Sequence, residues 1–152
     1  MIWSALEVGS VCYAHADSAS LNKLQRFQDT TLHQLGITCQ IDTLATRRKV
    51  AYASMVYKQV VMGEGPSFIR EHFPIQDPDL RAHLSRATTQ KHQYQLSIPP
   101  PPPEREHLSR FDALCAPLLE WNKLPPYTMP TKPSIQGFKK AVADHYHSLN
   151  RT

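Results

Sequence analysis

The sequence predicts a small, mainly α-helical domain with a proline-rich irregular middle. Three observations carry that expectation. Apolar residues recur at helical spacing in two stretches of the amino-terminal half and in one at the end. Glycines stand where the first two of those stretches should stop. Between them and the end, periodicity fades into a run of five prolines, Pro99 to Pro103.

Residues 2–13 are apolar enough for a short helix that starts abruptly at Met1, without a cap or lead-in, which suggests a fragment of something longer. Ser18 or Ser20 then offers a cap, and Leu21, Leu24, Gln28, Thr31, Leu32 and Leu35 line one face up to Gly36. Lys23 and Arg26, three apart, share a face away from those leucines. A second helix is expected from about Thr43 to Met62, capped by Asp42 and ended by Gly63. Leu44, Val50, Ala51, Ser54, Tyr57 and Val61 give it a packing face.

Arg47, Arg48 and Lys49 crowd the opening turns of that helix, where its dipole favours anions. A bound phosphate would resolve the conflict, because basic side chains and free backbone amides would share one anion. The alternative is a solvated basic cluster.

Gly65-Pro66-Ser67 reads as the start of a short helical turn whose Phe68, Ile69, His72 and Phe73 lie against the preceding helix. Beyond Pro74, His92, Tyr94, Leu96 and Ile98 alternate with polar residues, which allows one short strand. The proline run is extended polyproline II, serving as a stiff spacer or as a ligand for an SH3 or WW domain. Ser109 to Glu120 returns to helix, with Phe111, Leu114, Cys115 and Leu118 facing one way and Pro117 kinking or interrupting it. Residues 124–130 form a turn-rich loop. Ser134 caps a final helix with Ile135, Phe138, Val142 and Tyr146 on one face, against which Trp121 serves as an anchor. These elements group as a helical segment 1–73, a proline-rich irregular linker 74–106 and a helical segment 107–152.

Lys+Arg 17 against Asp+Glu 13 gives a net charge of +4, a balance that attracts polyanions or simply keeps the surface solvated. Cys12, Cys39 and Cys115 are odd in number and form no CxxC, which argues against a disulfide framework and suits a reducing compartment. No signal peptide and no apolar run of membrane-spanning length are evident, so the expected location is intracellular, in nucleus or cytoplasm. His145 and His147 are i, i+2 neighbours that diverge on a helix, and no second ligand pair accompanies them. The sequence holds no Gly-rich phosphate loop, no GxSxG and no HExxH. No cofactor or small-molecule substrate is expected.

Four strings in order resemble non-LTR retrotransposon reverse transcriptases, in particular the Jockey-like lineage. Leu6 to Tyr13 is similar to that family's "LEYGSVVW", and Leu21 to Gln28 to its "LDRLQRRA". Leu44 through Arg47-Arg48-Lys49-Val50 to Tyr57-Lys58, Gly63 and Pro66 resembles "L..RRRVA.L.LFYKI..G..P". Leu119, Trp121, Asn122, Leu124, Pro125, Ser134, Phe138, Lys139 and Val142 match the closing phrase "LWNSLP…S…FKRRV". Two departures stand out. Glu120 replaces the usual apolar residue before the tryptophan, and Arg86-Ala87-Thr88-Thr89-Gln90-Lys91 stands where the family has "RTTR".

The resemblance implies the thumb and post-thumb end of a polymerase, with the catalytic core elsewhere in the parent protein. A reverse transcriptase holds two metals with clustered carboxylates, including a paired Asp-Asp, and this chain has no Asp-Asp. What the resemblance implies is thus a non-catalytic fragment that helps hold template RNA and target DNA beside the remainder of the polymerase. Lys23, Arg26, Arg47, Arg48, Lys49, Lys58, Lys139 and Lys140 would supply backbone contacts, which position without reading sequence. The rival readings are a small helical protein–protein interaction module and a relic open reading frame without function.

Overall fold

The computed structural model describes residues 16, 18–37, 42–65, 67–76, 91–100, 115 and 117–149. The expected first helix over 2–13, the remainder of the proline run, Phe111 and Leu114 lie outside the described residues, as do the side chains of Phe68 and Ile69. The described part is mainly α: α1 Ser18–Gln34, α2 Leu44–Val60, α3 Phe68–His72, a helical stretch α4 over 117–123, a 3-10 turn Pro126–Thr128 and α5 Ile135–Leu149. The chain divides into two compact units, Met1–Ala51 and Tyr52–Thr152, with the boundary inside α2.

In the first unit, α1 stops at Gly36, whose φ of 63° is the left-handed conformation that glycine adopts without a Cβ penalty. Its leucine stripe is only partly buried. Leu21, Leu24 and Leu32 are half-buried, Leu35 is 63% exposed, and the most buried member of the stripe is polar, Gln28 at 2%. Gln28 is drawn in because its Nε2 donates to the Asp42 carbonyl at 3.3 Å, just before α2. Gln25 makes the second link, its Oε1 accepting the Leu44 amide at 2.8 Å. Thr43, and not Asp42, caps α2: Thr43 Oγ1 accepts the Thr46 amide at 3.2 Å, as the residue immediately before the first helical position should. Asp42 sits one residue too early for that geometry.

The second unit is built around Trp121, which is fully buried. Its ring lies 5.8 Å from that of Phe138 on α5, and Phe138 stacks on Tyr57 of α2 at 4.2 Å. Val56, Leu96, Leu118, Leu124, Val142 and Tyr146 complete this core. The expected stripe of α5 is observed, with Phe138, Val142 and Tyr146 buried. Ser134 caps it as expected: its Oγ accepts the Gly137 amide at 3.2 Å, and its own amide donates to the Tyr57 hydroxyl at 3.2 Å. Residues 117–123 are helical with Pro117 among them.

The alternating stretch 92–98 does not become a strand. It makes one antiparallel bridge, Ile75 to Leu96, with the Gln76 amide donating to the Gln95 carbonyl and the Ser97 amide to the Pro74 carbonyl, each at 2.8 Å. On the opposite edge the partner is a single side chain. Asn122 Oδ1 accepts the Leu96 amide at 2.9 Å and Asn122 Nδ2 donates to the Leu96 carbonyl at 2.8 Å. One carboxamide thus offers Leu96 the donor and acceptor of a neighbouring strand. The surrounding bonds repeat the theme. Trp121 Nε1 donates to the Tyr94 carbonyl at 2.7 Å, and Gln95 Nε2 to the Asn122 carbonyl at 2.6 Å. His92 Nδ1 accepts the Tyr94 amide, which leaves the ring proton on Nε2 to be donated to the Trp121 carbonyl at 2.9 Å.

Glu120, the departure from the family phrase, is spoken for in the same region: it accepts from Lys123 at 2.7 Å and from the Tyr146 hydroxyl at 3.5 Å. Burial, then the Glu120 charge, then that hydrogen bond, push the Tyr146 phenol well above the usual tyrosine range.

Two outcomes follow from this packing. Asn122→Ala leaves the buried Leu96 amide without a partner and lowers stability by about 2–3 kcal/mol, read as a shift of the urea midpoint. Asn122→Asp is destabilising as well, because it sets a carboxylate oxygen against the Leu96 carbonyl to which Asn122 Nδ2 now donates. The Tyr146 phenol is raised in the fold relative to the unfolded chain, so its contribution is intact at neutral pH and is lost as pH climbs past about 10 towards its folded value. Ultraviolet titration of the phenols should show one that ionises last, and Glu120→Gln should bring it down only part of the way.

Candidate nucleic-acid interface

Of the eight expected cations, Lys23, Arg26, Arg47, Arg48 and Lys49 belong to the first unit and Lys58, Lys139 and Lys140 to the second. Lys23 and Arg26 are exposed on α1, as their spacing from the leucines requires. Lys58, Lys139 and Lys140 are exposed on α2 and α5, outside the buried stripe of Phe138, Val142 and Tyr146.

The Arg47-Arg48-Lys49 cluster is less available than its composition suggests. Only Lys49 is exposed; Arg47 and Arg48 are half-buried, and burial holds the Arg47 guanidinium below its ordinary value. Arg48 Nη1 is buried without a hydrogen-bond partner among the described residues. The phosphate expected at the start of α2 meets a competitor within the chain. Gln25 already takes the Leu44 amide and Thr43 the Thr46 amide, so two of the donors an anion would use are filled.

A different surface of the second unit gathers cations that spacing did not single out. An open groove of about 1030 Å³ is lined by Lys91, Leu119, Lys123, Pro126, Tyr127 and His145, together with Asn122 and Gln95. Tyr127 is 68% exposed, yet its hydroxyl is 2.7 Å from His145 Nδ1 and the two rings meet edge to face at 5.8 Å. Tyr127 sits in the 3-10 turn, which packs on α5 and is closed by the Thr128 and Met129 amides donating to the Pro125 and Pro126 carbonyls. A smaller cleft of about 460 Å³, lined by Tyr94, Met129 and Pro130, shares Lys91 and Pro126 with the groove.

These residues come from three separate stretches of sequence, so no periodicity marks them.

Among the described residues no three His, Cys, Asp or Glu side chains lie close enough to hold a metal ion, and no helix is long and apolar enough to cross a membrane. His145, half of the histidine pair, is engaged by Tyr127. Comparison with protein-family models, with curated proteins and with solved structures returns no match.

Proposed function

We propose that the chain is a non-catalytic nucleic-acid-binding module, corresponding to the closing thumb and post-thumb region of a non-LTR retrotransposon reverse transcriptase. It holds RNA or DNA through the phosphate backbone, and polymerisation belongs to the remainder of the parent enzyme.

The observation that carries the proposal is where the resembling strings come together. Tyr57 belongs to the second-helix string and Phe138 and Ser134 to the closing phrase, some 77 residues further on, yet ring stacks on ring and hydroxyl meets amide. This meeting of two distant strings in one core supports reading them as parts of one module. Trp121, Asn122, Leu124, Ser134, Phe138 and Val142 each hold the architecture, whereas Lys139, from the same phrase, is left in solvent. Cations exposed on helices whose other faces are packed are what backbone binding uses, because phosphate contacts need charge and reach but no fixed pocket.

Fluorescence anisotropy of the full chain with labelled RNA and DNA, from about 50 to 200 mM salt, tests the proposal. The logarithm of affinity should fall linearly with the logarithm of salt. Lys139→Ala with Lys140→Ala should weaken binding across all sequences and lower the slope by about 1–2. Absence of binding at the lowest salt contradicts the proposal. Salt-insensitive capture of a protein partner would favour the interaction-module reading instead.

A further inference from the structure

We propose that the groove holding Lys91, Lys123, Tyr127 and His145 docks an unpaired stretch of single-stranded nucleic acid, with one base stacked on Tyr127 and the flanking phosphates on the two lysines. This rests on the nucleic-acid reading above and adds to it a defined site, none of whose residues is among the eight cations already considered.

Four observations converge. The groove, at about 1030 Å³, is at the upper end of the roughly 300–1,000 Å³ typical of small-ligand sites, ample for a nucleotide. Among the described residues its lining carries Lys91 and Lys123 beside the imidazole of His145 and no carboxylate, so the two lysines complement a phosphate chain. The exposed ring of Tyr127 is held in place, by the 3-10 turn at its backbone and by His145 at its hydroxyl. A single exposed aromatic is ordinary; one fixed at both ends and flanked by lysines is a platform already organised for a planar ligand. Finally, the smaller cleft continues from Lys91 and Pro126, which gives the next nucleotide somewhere to lie.

Lys123 is also paired with Glu120, at 2.7 Å, but its side chain is 69% exposed, and an exposed i, i+3 pair is readily exchanged for a phosphate. Duplex nucleic acid does not fit the same description. Its bases are stacked on one another and present no free face to Tyr127, so the ring discriminates between strands that are paired and strands that are not.

The test uses the full chain and two labelled probes, an oligothymidylate and a duplex of the same length. Tyr127→Ala should weaken oligothymidylate binding by about tenfold and leave duplex binding unchanged, whereas Tyr127→Phe, which keeps the ring, should retain most of the affinity. Lys91→Ala with Lys123→Ala should lower the salt slope for the single strand by about 1.4, at about 0.7 per phosphate contact. The three substituted side chains are exposed, and an unchanged urea midpoint verifies that the variants fold. If Tyr127→Ala binds the single strand as tightly as the parent while binding stays salt-dependent, the groove is not the site and the broader proposal stands. If the parent chain binds neither probe at low salt, the broader proposal fails and takes the site with it. If a proline-rich peptide binds in a Tyr127-dependent way and oligothymidylate does not displace it, the groove is a peptide site and the inference is overturned.

Discussion

The second unit depends on one carboxamide. Asn122 completes the hydrogen bonding of Leu96 from the side that no strand occupies, and the neighbouring Trp121 is bonded to Tyr94 and His92 from the same turn of helix. An irregular segment such as 92–97 cannot be buried unless its amides and carbonyls find partners, because each orphaned group costs about 1–3 kcal/mol. The Pro74–Gln76 backbone supplies one edge and the Trp121-Asn122 pair the other. With that segment fixed, Leu96 and His92 are buried beside Trp121, and Phe138 has a wall to pack against. Tyr57 then joins α2 to α5 through Phe138 and Ser134.

The same arrangement sets the groove. Asn122 and Gln95 help line it, and α4 and the 3-10 turn contribute Lys123 and Tyr127. Trp121, Asn122, Leu124, Phe138 and Val142 of the closing phrase are therefore architectural, whereas Lys139 of the same phrase is exposed. The buried Trp121 and the half-buried Asn122 hold the fold, and Lys123 and Tyr127 beside them are exposed.

Periodicity was a good guide where one helix face meets a core. The Phe138, Val142 and Tyr146 stripe, the Ser134 cap and the glycine stop at Gly36 were all legible, because each is a local rule with a local cause. It was a poor guide where the partner is distant. The stripe on α1 read as apolar, yet its buried member is Gln28, while Leu35 and Phe27 (62% exposed) face solvent. Gln25 and Gln28 act on the start of α2, a pairing that no spacing rule contains. Burial over 92–98 alternates as expected except at Gln95, which is interior beside Leu96, yet the pairing stops at one bridge and Asn122 takes the other edge of Leu96. The basic cluster at 47–49 was visible, but its burial and the closed end of α2 were not, since both depend on side chains from elsewhere in the chain. Tyr127 gave no signal, because a tyrosine between two prolines and a threonine reads as loop until His145 is seen to hold it.

The Leu96 backbone amide offers the most direct measurement of whether Asn122 holds the second unit together. Native-state hydrogen exchange, followed by NMR, gives the free energy needed to expose it. If the carboxamide is a structural partner, the Leu96 amide exchanges only through unfolding of the whole unit, with the same opening free energy as the Trp121 indole proton. An amide at Leu96 that exchanges like an exposed loop, while the Trp121 indole stays protected, would contradict this account: the core would then stand without its surrogate strand.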